Sequence, residues 1–223
     1  MSRPLLVLRP EPGASATVTT ARAMGLDAIA APLFAIRPIG WSLPDRLPGA
    51  VLLTSANAVR HGGTNLAALA HLPVYAVGTA TAEAARQAGF ARIVAGNGDA
   101  ETILALARRD GTASLLHLAG REHRDVVPHD IRIDRRIVYA AEAVDTLPEA
   151  ARAVLPDAVA MLHSPRAARL FASLVDPAGI ALAAISPATL AAAGPGWHLA
   201  EAADVPTDAS LLAVAAKLCN HLP

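Results

Sequence analysis

Hydroxyl, glycine and arginine residues recur directly after short apolar runs of this chain, where they could bind an anionic ligand. Side-chain hydroxyls, guanidinium groups and free backbone N–H groups at helix N-termini are suited to carboxylates and phosphates. The residues in question are Arg9, Thr54, Ser55, Gly78, Thr79, Thr81, Gly120, Arg121, Ser164, Ser186 and Thr189. Single members of the set could simply cap their helices, and this applies to Ser55, Thr81, Ser164 and Thr189. The recurrence of the whole set favours ligand binding.

Two further features could contribute to chemistry. Tyr139 is one of two tyrosines and closes a strand-like run, so its phenol could pack as a boundary residue or donate a hydrogen bond to a ligand. Residues 121–125 (Arg-Glu-His-Arg-Asp) form a charge run that also follows a strand-like run. Such a run is commonly a solvated helix face, but its position after a strand leaves a binding role open.

Several catalytic classes lack their motifs in this sequence. The segment that starts at Gly78 matches neither the dinucleotide-binding fingerprint nor a Walker sequence. Ser55 and Ser164 lack the flanking glycines of a nucleophile elbow. Cys219, the single cysteine, can form neither an intrachain disulfide nor a cysteine metal site. No two histidines have metal-site spacing with a third ligand, so we interpret the following as structural or solvated: His117, His123, His129 and His163. We expect neither a cofactor nor a metal.

The elements that must position these residues alternate along the chain. Short Leu-rich or β-branched runs alternate with Ala-rich helical stretches, which is the pattern of βα units in a parallel sheet. Ten strands are predicted, at residues 5–8, 28–31, 51–53, 74–77, 92–95, 115–118, 133–139, 159–162, 182–185 and 197–199. In open parallel sheets, ligands bind beyond the carboxyl ends of the strands, and the candidate residues lie there.

An offset internal repeat predicts how these elements divide into domains. Three pairs of segments are similar at a separation of 108 or 109 positions: 51–59 with 160–168, 76–82 with 184–190, and 99–104 with 208–213. The second copy lacks a final β-α-β unit, which residues 1–36 supply at the start of the chain. We therefore expect an α/β protein in which a domain of residues 38–139 is inserted in a discontinuous domain of residues 1–36 and 142–223. The two crossings, near 34–38 and 138–144, would form a hinge with a cleft beside it.

The composition excludes several classes of protein. The 223 residues carry 19 positive and 19 negative side chains, and 53 % are hydrophobic although only 3 % are aromatic. A chain with 53 alanines buries small side chains in packed layers, which rules out disorder. A net charge of zero does not provide the field that binds nucleic acids or membrane surfaces, and no apolar run reaches the length of about 18 residues of a membrane span. We expect a soluble cytoplasmic protein.

Arginine supplies 18 of the 19 cationic side chains, and Lys217 is the only lysine. A GC-rich coding bias would explain this preference. A carboxylate-rich ligand would also explain it, because the guanidinium group binds carboxylates in bidentate fashion. Both explanations stay open at this point.

A series of segments, each weak alone, resembles the uroporphyrinogen-III synthase family in order and spacing over nearly the whole chain. They are residues 53–59 (LTSANAV), 76–82 (AVGTATA) with 88–90 (AGF), 118–125 (LAGREHRD), 138–139 (VY), 161–165 (MLHSP), 184–189 (AISPAT) and 206–212 (PTDASLL). Two positions depart from the family pattern. Ser186 replaces a glycine before Pro-x-Thr, which narrows the space for close backbone approach. Ala119 replaces an arginine that could contact a carboxylate.

The resemblance implies two flavodoxin-like parallel-sheet domains joined by a two-stranded linker. It also implies the cyclisation of hydroxymethylbilane, a polycarboxylate linear tetrapyrrole, to uroporphyrinogen III with inversion of the last pyrrole ring and loss of water. The family uses no cofactor, binds the substrate carboxylates largely through backbone amides and hydroxyls, and has a linker-strand tyrosine, matched by Tyr139, that assists departure of the hydroxyl. We accordingly expect a monomeric hydro-lyase of tetrapyrrole and heme biosynthesis. The alternative is a non-catalytic two-domain clamshell that binds a small anionic ligand.

Overall fold

The chain folds into alternating strands and helices, and a computed structural model describes residues 2–97, 99–123, 125 and 130–220. The strands of this part are β1 (Leu5–Val7), β2 (Ala28–Ala30), β3 (Phe34–Pro38), β4 (Ala50–Leu53), β5 (Val74–Ala76), β6 (Ile93–Ala95), β7 (Ser114–Gly120), β8 (Arg132–Ala143), β9 (Val159–Leu162), β10 (Ala181–Ala184) and β11 (Leu199–Ala202). Its α-helices are α1 (Gly13–Ala23), α2 (Ala56–Arg60), α3 (Leu66–Leu69), α4 (Thr79–Gln87), α5 (Ala100–Arg109), α6 (Glu149–Arg152), α7 (Pro165–Leu174), α8 (Pro187–Ala192) and α9 (Asp208–Asn220). None of the helices in these ranges is long and apolar enough to cross a membrane.

The strands form two sheets, which lie in two compact units of the chain. Unit 1 takes its residues from 1–35 and 142–223, and unit 2 from 36–141. The strand order is β11-β10-β9-β1-β2 in the first sheet and β3-β8-β7-β4-β5-β6 in the second. All pairs of the first sheet are parallel, as are those from β8 to β6 in the second. The α/β fold with parallel sheets that the sequence predicts is therefore confirmed.

The central strands are short apolar runs because helices cover both faces of each sheet. Every residue of β1, β4, β9 and β10 is buried. In unit 1, α1 and α9 pack small and branched side chains such as Ala21 and Leu211 against this sheet. In unit 2, alternate residues of the strands enter two separate cores, one with Leu53 and Phe90 and the other with Leu52. The strand ends that lead into helices are thereby held at fixed positions within each unit.

The ten predicted strands are all present, but the last was misplaced and one strand was missed. The strand predicted at 197–199 begins only at Leu199. Trp197 instead stacks on Phe171 with ring centroids 5.7 Å apart, and its Nε1–H donates to Gly194 O at 3.0 Å. Residues 34–38, predicted only as a crossing, form the edge strand β3. The chain enters unit 2 within β3 and leaves it near the end of β8.

Candidate functional site

The candidate residues of each unit lie where parallel strands end and helices begin. In unit 2, Thr54 and Ser55 follow β4, Gly78 follows β5, and Arg121 follows β7. In unit 1 the corresponding positions, after β1, β9 and β10, belong to Arg9, Ser164 and Ser186. Because the strands within each sheet are parallel, their carboxyl ends meet at one edge. The structure thus brings the predicted residues of each unit to one edge of that unit's sheet.

Tyr139 lies over the end of β7, where Gly120 makes room for its ring. The two residues pair across β7 and β8 after a register shift between Ala119 and Gly120. A Cβ atom at Gly120 would lie 2.6 Å from Tyr139 Cζ and 2.8 Å from Tyr139 Oη, so only glycine permits this ring position. Arg121 N–H donates to Tyr139 O at 2.8 Å, which closes the strand pair at this edge. Within the described ranges, no hydrogen bond to Tyr139 Oη is found, and the half-buried side chain packs against the core that contains Leu53.

The charge run after β7 is partly tied to the strand end and partly exposed. His123 Nδ1 lies 2.8 Å from Gly120 O, and Glu122 Oε2 accepts a hydrogen bond from Ala141 N–H at 3.3 Å. Arg121 is exposed, while Asp125, with 91 % of its side chain exposed, lies 3.4 Å from Arg135 Nη1. Arg124 and His129, which the sequence analysis also names, lie outside the described residues. Among the described residues of this run, Arg121 is an exposed cation directly after β7.

The candidate hydroxyls fall into two groups, because the three serines cap helices and Thr81 and Thr189 lie inside them. The side-chain oxygen of Ser55 accepts a hydrogen bond from Asn57 N–H at the start of α2. In the same way, Ser164 accepts from Ala167 N–H at the start of α7, and Ser186 accepts from Thr189 N–H at the start of α8. The suggestion that threonines cap α4 and α8 is wrong, because Thr81 and Thr189 are the third residues of these helices. Thr189, 1 % exposed, lies with its Oγ1 3.1 Å from Ser186 Oγ.

Helix α4 differs from α2, α7 and α8 because the residue before its first turn is a glycine and not a serine. Gly78 has extended backbone, and no side chain caps the first turn of the helix. Thr79, the first residue of α4, is exposed, whereas Thr81 is only 7 % exposed. The first N–H groups of this nine-residue helix carry partial positive charge and can accept an anionic ligand.

Arg9 of unit 1 is held by an acidic partner that the sequence analysis missed. Its Nη1 contacts Asp208, the first residue of α9, and lies 3.4 Å from Thr17 Oγ1. A Cβ atom at Gly13 would lie 2.6 Å from Arg9 Nε, so this glycine leaves space for the guanidinium group. The Arg9–Asp208 pair is partly exposed, at 31 % and 49 % for the two side chains, and a ligand carboxylate can compete for it.

His163 lies beside this pair and is neutral. Its Nε2 is 3.5 Å from Asp208 Oδ1, which is within ion-pair range but without the geometry of a hydrogen bond. Burial lowers the pKa of His163 to about 4, and the positive charge of Arg9 acts in the same direction, against the opposing effect of Asp208. At neutral pH the ring therefore adds no charge next to Arg9.

Cationic side chains are concentrated in unit 2. Residues 36–141 contain 12 Arg against 9 Asp and Glu, a formal charge of +3, whereas the residues of unit 1 carry 7 cations against 10 acids, a formal charge of −3. A polycarboxylate ligand is attracted to a unit of this sign. The zero net charge of the whole chain hides this difference.

The described residues form no metal site, and a cavity of unit 2 lies away from the edge that carries the candidate residues. Among the described residues, no group of three or more His, Cys, Asp and Glu side chains could hold a metal ion. A cavity of about 620 Å³ in unit 2 is lined by residues such as Ser114 and Arg132, which begin β7 and β8. It therefore lies at the amino-terminal edge of the sheet, away from the candidate residues. Ligands of open parallel sheets bind at the carboxyl edge, which is the edge that carries the candidate residues.

Comparisons with known proteins point to one family. The sequence model described as uroporphyrinogen-III synthase HemD matches residues 15–213. A search of curated proteins finds no match. The crystal structure of uroporphyrinogen-III synthetase from Helicobacter pylori 26695 is similar to this chain with a TM-score of 0.69 and 18 % identity, covering 97 % of this chain and 99 % of that chain. Wild-type uroporphyrinogen III synthase from the extremely thermophilic bacterium Thermus thermophilus has a TM-score of 0.40 and 15 % identity, covering 96 % and 97 %. The first of these similarities shows a shared fold.

Proposed function

We propose that this chain, which belongs to the uroporphyrinogen-III synthase family, cyclises hydroxymethylbilane to uroporphyrinogen III and releases water. The observation that carries this proposal is the family match, which spans residues 15–213 and therefore nearly the whole chain. The reaction serves tetrapyrrole biosynthesis, and the enzyme would be a hydro-lyase. We further propose that it acts as a cytoplasmic monomer without a cofactor.

The two units would be flavodoxin-like domains, one inserted in the other. The order β2-β1-β9-β10-β11 of unit 1 is the order 2-1-3-4-5 of flavodoxin-like folds, counted along the chain. The order β8-β7-β4-β5-β6 of unit 2 is the same when counting starts at β7. In such folds the ligand binds where the strand order reverses, which is between β1 and β9 and between β7 and β4. Arg9 and Ser164 lie at the first of these points, and Thr54 and Arg121 at the second.

Both sets of loops would bind the substrate carboxylates. Backbone N–H groups at the start of α4, the exposed Arg121 and the hydroxyl of Thr54 are the donors that unit 2 offers. The full set of proposed substrate-binding residues is Arg9, Thr54, Ser55, Gly78, Thr79, Thr81, Gly120, Arg121, Ser164, Ser186 and Thr189. The formal charge of +3 on unit 2 supports a ligand with many carboxylates.

Tyr139 would assist the first chemical step. Its Oη–H donates a hydrogen bond to the hydroxyl of the substrate's hydroxymethyl group, and as the C–O bond breaks this oxygen takes the phenol proton and leaves as water. The proton that the macrocycle loses after ring closure restores the phenol. The azafulvenium-like cation that remains reacts readily with the last pyrrole ring. Attack through the substituted position of that ring gives a spiro intermediate, and rearrangement of the spiro intermediate inverts the ring. The enzyme therefore selects a geometry, which carboxylate binding can impose.

The isomer of the product tests the proposal. Chelator-treated protein is incubated with hydroxymethylbilane, and the isomers are separated by chromatography after oxidation to porphyrins. We expect uroporphyrinogen III in excess, whereas the spontaneous reaction gives the uninverted isomer. A non-catalytic clamshell would bind the carboxylate ligand and leave the uninverted isomer as the sole product.

A further inference from the structure

One buried polar side chain next to the candidate residues of unit 2 has no role in the scheme so far. His117 lies in β7 between Leu52 of β4 and Arg135 of β8, and its side chain is completely buried. A buried imidazole needs partners for its ring nitrogens. Both nitrogens of His117 have one, since Nε2 lies 3.1 Å from Thr54 Oγ1 and Nδ1 lies 3.4 Å from Arg135 Nε.

The arginine determines which nitrogen of the ring carries the proton. Guanidinium nitrogens donate hydrogen bonds and cannot accept them, so Nδ1 of His117 must be the acceptor from Arg135. The ring proton therefore lies on Nε2, and Nε2–H donates to Thr54 Oγ1. The chain of donors runs from Arg135 through His117 to Thr54, at the carboxyl end of β4.

The surroundings of the ring keep it in this neutral form. Burial lowers the pKa of His117 to about 4, and the positive charge of the nearby Arg135 acts in the same direction. The ring centroids of His117 and His123 are 6.2 Å apart, and the two rings meet edge to face. The exposed Asp125 contacts the side chains of His123 and Arg135. The direction of the donor chain is therefore the same across the neutral pH range.

We infer that His117 and Arg135 are positioning residues that aim the hydroxyl proton of Thr54 at a carboxylate of the substrate. The inference rests on the proposed function, in which Thr54 binds substrate. His117 Nε2–H occupies one lone pair of Thr54 Oγ1, so the hydroxyl hydrogen points away from the ring and is free to donate. Toward a ligand, Thr54 then acts as a donor. The free hydroxyl hydrogen favours an ionised carboxylate, which only accepts.

Two substitutions at His117 separate positioning from packing. His117→Leu removes the donor and keeps a buried side chain, whereas His117→Gln carries an amide N–H that can replace Nε2–H. We expect His117→Leu to raise KM for hydroxymethylbilane about tenfold with kcat within about twofold, because Thr54 is no longer oriented and its hydrogen bond to the charged carboxylate is weakened. His117→Gln should restore most of the wild-type KM.

A double-substitution cycle tests whether the effect passes through Thr54. Thr54→Val should raise KM to a similar extent, and His117→Leu should add nothing in that background. The matched control is Tyr75→Phe, which removes a different hydrogen-bonding group from the same core, since Tyr75 Oη lies 3.1 Å from Asp110 Oδ2 and from Thr112 Oγ1. The control should lower stability without changing KM.

A readout without turnover is the ¹⁵N chemical shift of the His117 ring. We expect the Nε2–H tautomer from pH 5 to pH 8 in the wild-type chain. An Nδ1–H tautomer, or an unchanged KM in a folded His117→Leu variant, would overturn the inference while the wild-type chain still forms uroporphyrinogen III. If the wild-type chain instead gives only the uninverted isomer, the proposed function fails, and the inference that depends on it falls as well.

Discussion

Replacing Gly120 by alanine should displace the Tyr139 ring and reduce turnover without unfolding the chain. The added methyl group would lie 2.6 Å from Tyr139 Cζ, 2.7 Å from Cε2 and 2.8 Å from Oη. Carbon atoms pack at about 3.5–4.0 Å, so the ring has to move by about 1 Å. The backbone of Gly120 is not in the left-handed region, and alanine can therefore adopt it.

The magnitude follows from this displacement. A misplacement of about 1 Å at a reacting group can cost about 10²-fold in rate, and overpacking typically costs about 1–3 kcal/mol of stability. We therefore expect kcat to fall about 10²-fold and the free energy of unfolding to fall by about 1–3 kcal/mol. KM should change less than kcat, because the carboxylate-binding loops stay in place.

Stopped-time isomer assays and urea unfolding measure the two effects. The matched control is Gly49→Ala in the same unit, where a Cβ atom would meet Ser114 O at 3.5 Å, an ordinary contact. In a Tyr139→Phe background, Gly120→Ala should cost little further activity, because the hydroxyl it displaces is already missing. Full turnover in a folded Gly120→Ala variant, or an equal loss in Gly49→Ala, would refute the reasoning.

Three further perturbations have defined outcomes. Tyr139→Phe should lower kcat about 10²-fold at an unchanged Tm, since one positioned donor is lost; unchanged turnover and isomer ratio would assign the ring to packing. Asp208→Asn should lower KM severalfold, because a substrate carboxylate no longer competes with Asp208 for Arg9, and should change stability by less than about 1 kcal/mol. Glu201→Gln, which removes the partner of Lys217, is its control, and an equal KM effect there would contradict the competition. His117 has a pKa of about 4 when folded and its usual 6.5 when unfolded, so the unfolded chain binds more protons between these values and stability is lost as pH falls. Between pH 7 and pH 5 the contribution of His117 amounts to about 2 kcal/mol, so the loss measured by urea unfolding should be smaller by that amount in His117→Gln, while the loss due to His163 persists; an equal loss in wild type and His117→Gln would contradict this assignment.

The strands were predictable because the sheets are parallel and buried on both faces. Such strands are continuous apolar runs that stand out between Ala-rich helices. The edge strand β3 escaped prediction because it needs no such run, and its last two residues, Arg37 and Pro38, are exposed. Trp197 was predicted to begin a strand, yet its ring is held by Phe171 and by the carbonyls of Ala193 and Gly194 in the preceding turn.

The site was predictable only where it depends on strand ends. The residues after each strand follow from the general location of ligands in open parallel sheets. The hydrogen-bonded series from Arg135 through His117 to Thr54 could not be predicted, because it depends on the register of three strands. His117 is 63 positions from Thr54 and 18 positions from Arg135 in the sequence. The pairing of Arg9 with Asp208, 199 positions away, has the same cause. The sequence contains these residues but no local pattern that joins them.

The location of the bound product tests the central claim most directly. Crystals of the chain grown anaerobically with uroporphyrinogen III would show where the carboxylates lie. We expect ligand carboxylates within hydrogen-bonding distance of Thr54 Oγ1 and of the first N–H groups of α4, with Tyr139 Oη next to the macrocycle. A product molecule bound instead at the amino-terminal edge of the unit 2 sheet, in the cavity beside Ser114 and Arg132, would contradict the account.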